Sequence, residues 1–133
     1  MTEIHPFVLV VDDERLIADT LVLVLNRHGY EAVACYSVDD AGTILKTFRP
    51  DYLVCDVVLN QDNGIDLAIL ASLTLPTCRV ILISGNAATM DLLEKAAESG
   101  HRFTCLAKPI HPTELLEQMG PRPSTQIRPF PAA

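Results

Sequence analysis

Five short apolar runs, separated by stretches of helical periodicity, constrain this chain more than any other feature. The runs cover residues 7–11, 31–35, 52–55, 79–83 and 103–107. The β-α-β-α rhythm predicts a parallel sheet covered on both faces. The run at 52–55 is apolar throughout, as a central strand buried on both faces should be. Leu16, Ile17, Thr20, Leu21, Leu23, Val24 and Leu25 carry helical spacing up to His28-Gly29, where glycine suits a helix C-terminus. Ser37 reads as an N-cap, with Asp39 and Asp40 in the first turn. Ala41, Ile44, Leu45 and Phe48 read as the buried stripe of that helix, which Pro50 closes. Residues 60–64 read as a polar turn, followed by a third helix at about 65–72. A fourth helix spans about 88–99, with Met90, Leu93 and Ala97 as core, and stops at Gly100. Pro112 opens a last short helix that Gly120-Pro121 breaks near Met119.

The chain of 133 residues is long enough for one domain with a real core, here expected at residues 1–120. Residues 121–133, rich in proline and without periodicity, read as a flexible tail. Trp is absent and aromatics make up only 5% of residues, so the core must be aliphatic. A net charge of −7 speaks against a nucleic-acid-binding face, which needs clustered Lys and Arg. Cys35, Cys55, Cys78 and Cys105 form no paired motif and read as buried free thiols of a reducing, cytoplasmic setting. The first residues lack a signal-peptide pattern, and no apolar run reaches membrane-spanning length. The histidines are scattered, without ligand spacing between them.

Polar fragments follow four of the apolar runs directly: Asp12-Asp13-Glu14, Asp56, Ser84-Gly85 and Lys108-Pro109. Parallel strands point the same way, so residues just past their carboxyl ends gather at the edge where open α/β sheets hold ligands. Clustered carboxylates repel one another and favour a hard divalent cation with oxygen ligands, Mg²⁺ first among them.

Asp12-Asp13, Asp56, Ser84 and Lys108-Pro109 in this order and spacing resemble the receiver domain of bacterial two-component response regulators, over roughly residues 7–119. Gly64, eight residues past Asp56, also fits. The resemblance implies a three-layer, doubly wound, flavodoxin-like α/β fold whose five parallel strands run in the order 2-1-3-4-5. It implies that Asp56 accepts a phosphoryl group from a phosphohistidine of a sensor histidine kinase or histidine phosphotransfer protein. Asp13, Asp56 and the backbone carbonyl of Val58 would bind Mg²⁺, with Asp12 acting through a water. Lys108 would pair with the phosphoryl oxygens, and Ser84 would give its hydroxyl to another. A phosphorylation switch of this kind acts on a downstream protein, as a monomer or weak dimer, with no nucleic acid or membrane contact. It turns over only its own phosphate.

Two positions and one interval depart from the family pattern. Cys105 stands where Tyr or Phe is usual, Asn60 where proline is common, and the Ser84-to-Lys108 interval is slightly long. The expectation is intact phosphorylation chemistry with an altered output surface. A stand-alone regulator is expected, with a receiver piece of a larger hybrid kinase or regulator, or a phosphate relay or sink, as alternatives. An aspartate-nucleophile phosphatase would want a second acid two residues past Asp56, where Val58 stands. A flavodoxin-like FMN protein would meet repulsion between Asp12-Asp13-Glu14 and the flavin phosphate.

Overall fold

The computed structural model describes residues 5–60, 62–85 and 89–120. The elements follow as β1 (Phe7–Val11), α1 (Arg15–Arg27), β2 (Glu31–Cys35), α2 (Val38–Thr47), β3 (Tyr52–Asp56) and the short strands β4 (Val58–Leu59) and β5 (Asp62–Asn63). Then come α3 (Gly64–Thr74), β6 (Arg79–Ser84), α4 (Thr89–Glu98), β7 (Thr104–Ala107) and α5 (Pro112–Met119). The main sheet has five strands in the order β2-β1-β3-β6-β7, all parallel. Leaving out the β4-β5 hairpin, this is the expected 2-1-3-4-5 order.

Strand alternation divides the core into two layers. Leu9, Val11, Leu53, Cys55 and Leu82 face Ala41 of α2, Leu67, Ala68 and Ala71 of α3, and Ala96 of α4. Val8, Val10, Val54, Ile81 and Ile83 face Ala18, Leu21 and Leu25 of α1 and Leu115 and Met119 of α5. Leu9, Leu53 and Leu82 are fully buried, and each such side chain contributes about 1.5–3 kcal/mol in transfer terms. Gly29 and Gly100 end α1 and α4 at φ 89° and 90°, the left-handed geometry that glycine adopts without a side-chain clash. Ser37 caps α2, its hydroxyl accepting from the Asp40 N–H at 3.1 Å.

Several expectations need correction. The polar stretch after Leu59 is half of a β-hairpin, with Val58 pairing Asn63 and Leu59 pairing Asp62. Two-residue strands are too short to show alternation, so turn composition hid them. Phe48 and Met90 are exposed (55% and 56%), and Phe48 packs on Phe7 at the rim. Helix α2 ends at Thr47, which puts Phe48 on the C-cap, and Ala96 takes the buried position of α4. Leu16 and Leu23, within the helix that the spacing predicts, face outward, and Ala18, Leu21 and Leu25 form its buried stripe. The expected tail at 121–133 lies outside the described residues.

The thiols fit the buried reading at Cys35, Cys55 and Cys78, while Cys105 is half-buried. All are free. Burial pushes the Cys35 and Cys78 thiols up to about 11 and Cys55 higher still, so these sulfurs stay protonated and unreactive.

Candidate functional site

The carboxyl edge of the sheet collects most of the residues singled out above. Strand β1 runs out at Val11, and the Asp12 N–H still bonds the Cys35 carbonyl at 3.2 Å, so Asp12 is held at the sheet's lip. It is 1% exposed. Its Oδ1 accepts the Glu14 N–H at 2.9 Å, which turns the chain into α1 and aims Asp13 outward over the edge. Asp56 is the last residue of β3, paired with Ile83, and the next N–H, of Val57, bonds the Ile83 carbonyl at 2.9 Å. The Asp56 carboxylate is therefore mounted on a strand flanked on both sides. Its Oδ1 accepts the Val58 N–H at 3.1 Å.

The start of α3 packs on the Asp56 backbone through a contact that only glycine permits. A Cβ on Gly64 would lie 2.0 Å from the Asp56 carbonyl oxygen, while the Gly64 N–H bonds the Val57 carbonyl at 2.7 Å. At the hairpin tip Asn60 adopts φ 56° and donates its N–H to Asp13 Oδ2 at 3.0 Å. Proline could supply neither, since it lacks the N–H and fixes φ near −65°. The departure at position 60 is thus a different way of tethering Asp13.

Lys108 follows β7, its N–H bonded to the Ser84 carbonyl at 2.8 Å. Its stem passes Gly85, where an added Cβ would sit 3.3 Å from Lys108 Cδ. The ammonium lies 2.7 Å from Asp56 Oδ2, 3.2 Å from Asp12 Oδ2 and 3.6 Å from Glu14 Oε1. Burial pulls the Lys108 pKa down, but the hydrogen bonds and charges of Asp56 and Asp12 outweigh it and leave the ammonium more firmly protonated than usual. Burial raises the Asp12 pKa, against the opposing pull of the Glu14 N–H and Lys108.

Asp12, Asp13 and Asp56 each offer an oxygen, all within 4.8 Å of one another. Asp12 Oδ2 is buried, with the Lys108 ammonium 3.2 Å away. Three clustered carboxylates, one with a buried oxygen, set against one lysine fit a hard divalent cation with oxygen ligands. Val58, Asn60, Gly85 and Glu14 complete the walls of this notch of about 270 Å³.

Ser84 ends β6 beside the notch, but its hydroxyl is hydrogen-bonded to that of Thr89, the buried first residue of α4. Ser84 and Thr89 line a neighbouring cleft of about 580 Å³ with Met90, Leu93, Phe103 and Cys105. Reading the sequence missed Thr89, and it placed Glu14 in the cluster without giving it a contact of its own. A threonine at a helix start signals capping, and nothing in its spacing marks a contact with Ser84.

The response regulator receiver domain profile matches residues 8–119. The alginate biosynthesis transcriptional regulatory protein AlgB of Pseudomonas syringae pv. tomato is 30% identical over 114 residues, covering 86% of this chain and 25% of that protein. The chain spans between about a quarter and a half of the length of the curated relatives it matches. A CheY-like receiver domain protein of Methanospirillum hungatei superposes with a TM-score of 0.78 at 22% identity, covering 87% and 91% of the two chains. A Burkholderia pseudomallei response regulator, whose crystal structure has a phosphorylated aspartic acid, a calcium ion and citrate, gives a TM-score of 0.75 at 26% identity, covering 84% and 64%. No helix among the described residues is long and apolar enough to cross a membrane. With five parallel strands in receiver order and a profile match across nearly all of them, this chain belongs to the response regulator receiver domain family, whose members act mainly as phosphorylation switches.

Proposed function

We propose that Asp56 accepts a phosphoryl group from a phosphohistidine of a sensor kinase or phosphotransfer protein. Asp56 Oδ forms a bond to phosphorus as the phosphorus–nitrogen bond breaks, and the imidazole leaves with the electron pair. The observation that carries this reading is the Lys108 ammonium 2.7 Å from Asp56, inside a ring of carboxylates that share a span of 4.8 Å. A carboxylate attacking an anionic phosphorus needs its repulsion neutralised, and phosphoryl transfer relies chiefly on positioning and charge.

Each residue has a part that its position supports. The Val58 N–H and the Gly64 backbone contact hold the Asp56 carboxylate in place. Lys108 already touches Asp56 Oδ2 and would follow an oxygen of the new phosphate as a compact point charge. Ser84 would donate its hydroxyl to another oxygen. Mg²⁺ held by Asp13, Asp56 and the Val58 carbonyl, and by Asp12 through a water, would supply neutralising charge between the carboxylate and the incoming group.

The phosphorylated form would then bind a downstream protein differently from the unphosphorylated one, and water attacking the acyl phosphate would reset it. Residues 1–120 are read as this unit. The partial coverage of longer relatives keeps a second reading in view, in which the same receiver works within a larger regulator. Incubation with acetyl phosphate and Mg²⁺ should add the mass of one PO₃ unit at Asp56 by intact-protein mass spectrometry. Asp56→Asn or chelation should abolish it; an adduct that survives Asp56→Asn sinks the assignment.

A further inference from the structure

In this chain the first residue of α4 stands where a signal could leave the notch. Thr89 is 2% exposed, and its hydroxyl and that of Ser84 are hydrogen-bonded. Cys105, on β7, lines the same cleft as Thr89, Met90 and Leu93 of α4. Phe103 lies two residues further back and stacks on His101, ring centroids 6.5 Å apart and nearly parallel.

We propose that Thr89 is a positioning residue for Ser84 and couples phosphorylation to α4, in place of an aromatic side chain at position 105. The inference rests on the phosphoryl-acceptor reading of Asp56. Its chemistry is that of a hydroxyl pair. Each hydroxyl donates one proton and can accept two. Before phosphorylation either member of the pair can be the donor. Once the Ser84 O–H donates to a phosphoryl oxygen, Ser84 Oγ can only accept from Thr89. The chain Thr89 O–H to Ser84 Oγ, then Ser84 O–H to phosphoryl oxygen, acquires one direction. No bond is made or broken beyond these hydrogen bonds. A hydrogen bond to a charged acceptor is the stronger kind, and polarisation along the chain tightens its neighbour. Any movement of Ser84 toward the phosphate therefore draws the N-terminus of α4 with it, and Met90, exposed on the next position, reports the shift.

The test uses methyl NMR of Met90 in the full chain, with beryllofluoride and Mg²⁺ as the phosphate mimic. Wild-type protein should show shifts for Gly85 and Lys108 amides and for the Met90 methyl. Thr89→Val should keep the Gly85 and Lys108 shifts while the Met90 shift falls at least several-fold. Thr89→Ser, which retains the hydroxyl, should restore it, an outcome that a purely packing role for Thr89 does not produce. A full Met90 response in Thr89→Val, or no rescue by Thr89→Ser, overturns the coupling. A wild-type protein unresponsive even at Gly85 and Lys108 overturns the acceptor reading itself, and the coupling with it.

Discussion

The acidic notch and the cleft beside it share Lys108 and Gly85 as a wall, yet they are built on opposite plans. In the notch, carboxylate positions are fixed by backbone N–H groups: Glu14 on Asp12, Asn60 on Asp13, Val58 on Asp56. In the cleft a polar contact joins two hydroxyls, and the walls include the uncharged side chains of Met90, Leu93, Phe103 and Cys105. Fixed dipoles suit a site that must meet a transition state without reorganising; rotors suit a site that must change afterwards. On the reading proposed above, chemistry and response would be divided between two adjoining cavities.

Substitutions can break or sharpen this division. The largest effect is expected at Lys108. Lys108→Ala removes the cation that touches Asp56, and the rate of Asp56 labelling by acetyl phosphate should fall by about 10²-fold, as for loss of one preorganised electrostatic contact. A rate within a factor of two or so of wild type would mean that the notch does not act through Lys108.

Next comes Gly64→Ala. The new methyl would collide with the Asp56 carbonyl, which belongs to backbone and cannot swing aside. Denaturant titration should show a loss of at least about 1–3 kcal/mol, with a fall in labelling because the displaced strand end carries the proposed acceptor. Unchanged stability would show the hairpin to be as adaptable as the cleft.

A smaller, pH-dependent effect is expected at Asp12. Its pKa is raised in the folded protein, so above that pKa the folded state holds this carboxylate ionised at a cost the unfolded chain does not bear. Between the ordinary value of 3.8 and the raised one, the folded state binds more protons than the unfolded. The Asp12 contribution to stability therefore falls as pH rises through that window. In Mg²⁺-free buffer Asp12→Asn should have the higher Tm at neutral pH, with the gap closing as pH falls toward the ordinary carboxylate value. A gap that widens on acidification would contradict the sign.

Smallest is Cys105→Tyr. Cys105 lines the cleft and not the notch, so the labelling rate should stay within about twofold by the same assay, well short of a tenfold step. A large loss would show that the two cavities are mechanically one.

The sequence reading reached the notch and stopped at its rim, for a physical reason. Strand ends are announced by apolar runs, so Asp12, Asp13, Asp56 and Lys108 could be assigned to one edge from spacing alone. Backbone donors leave no such trace. That Asn60 secures Asp13 through its N–H depends on a positive φ inside a hairpin too short for periodicity. Likewise Met90 satisfies helical spacing, but the buried stripe of α4 is narrower than its apolar residues suggest, and Met90 lines the cleft mouth.

Helix α5 carries one more consequence. It begins just past Lys108, at the reactive edge, and its last carbonyls are gripped at the opposite edge, where Tyr52 Oη donates to the Met119 carbonyl and Arg79 to those of Gln118 and Met119. An eight-residue rod pinned at its foot acts as a strut under the lysine. Loosening the foot, at Arg79 far from any phosphate, would let the ammonium drift, so the reactivity of the upper rim is guarded in part from the floor below.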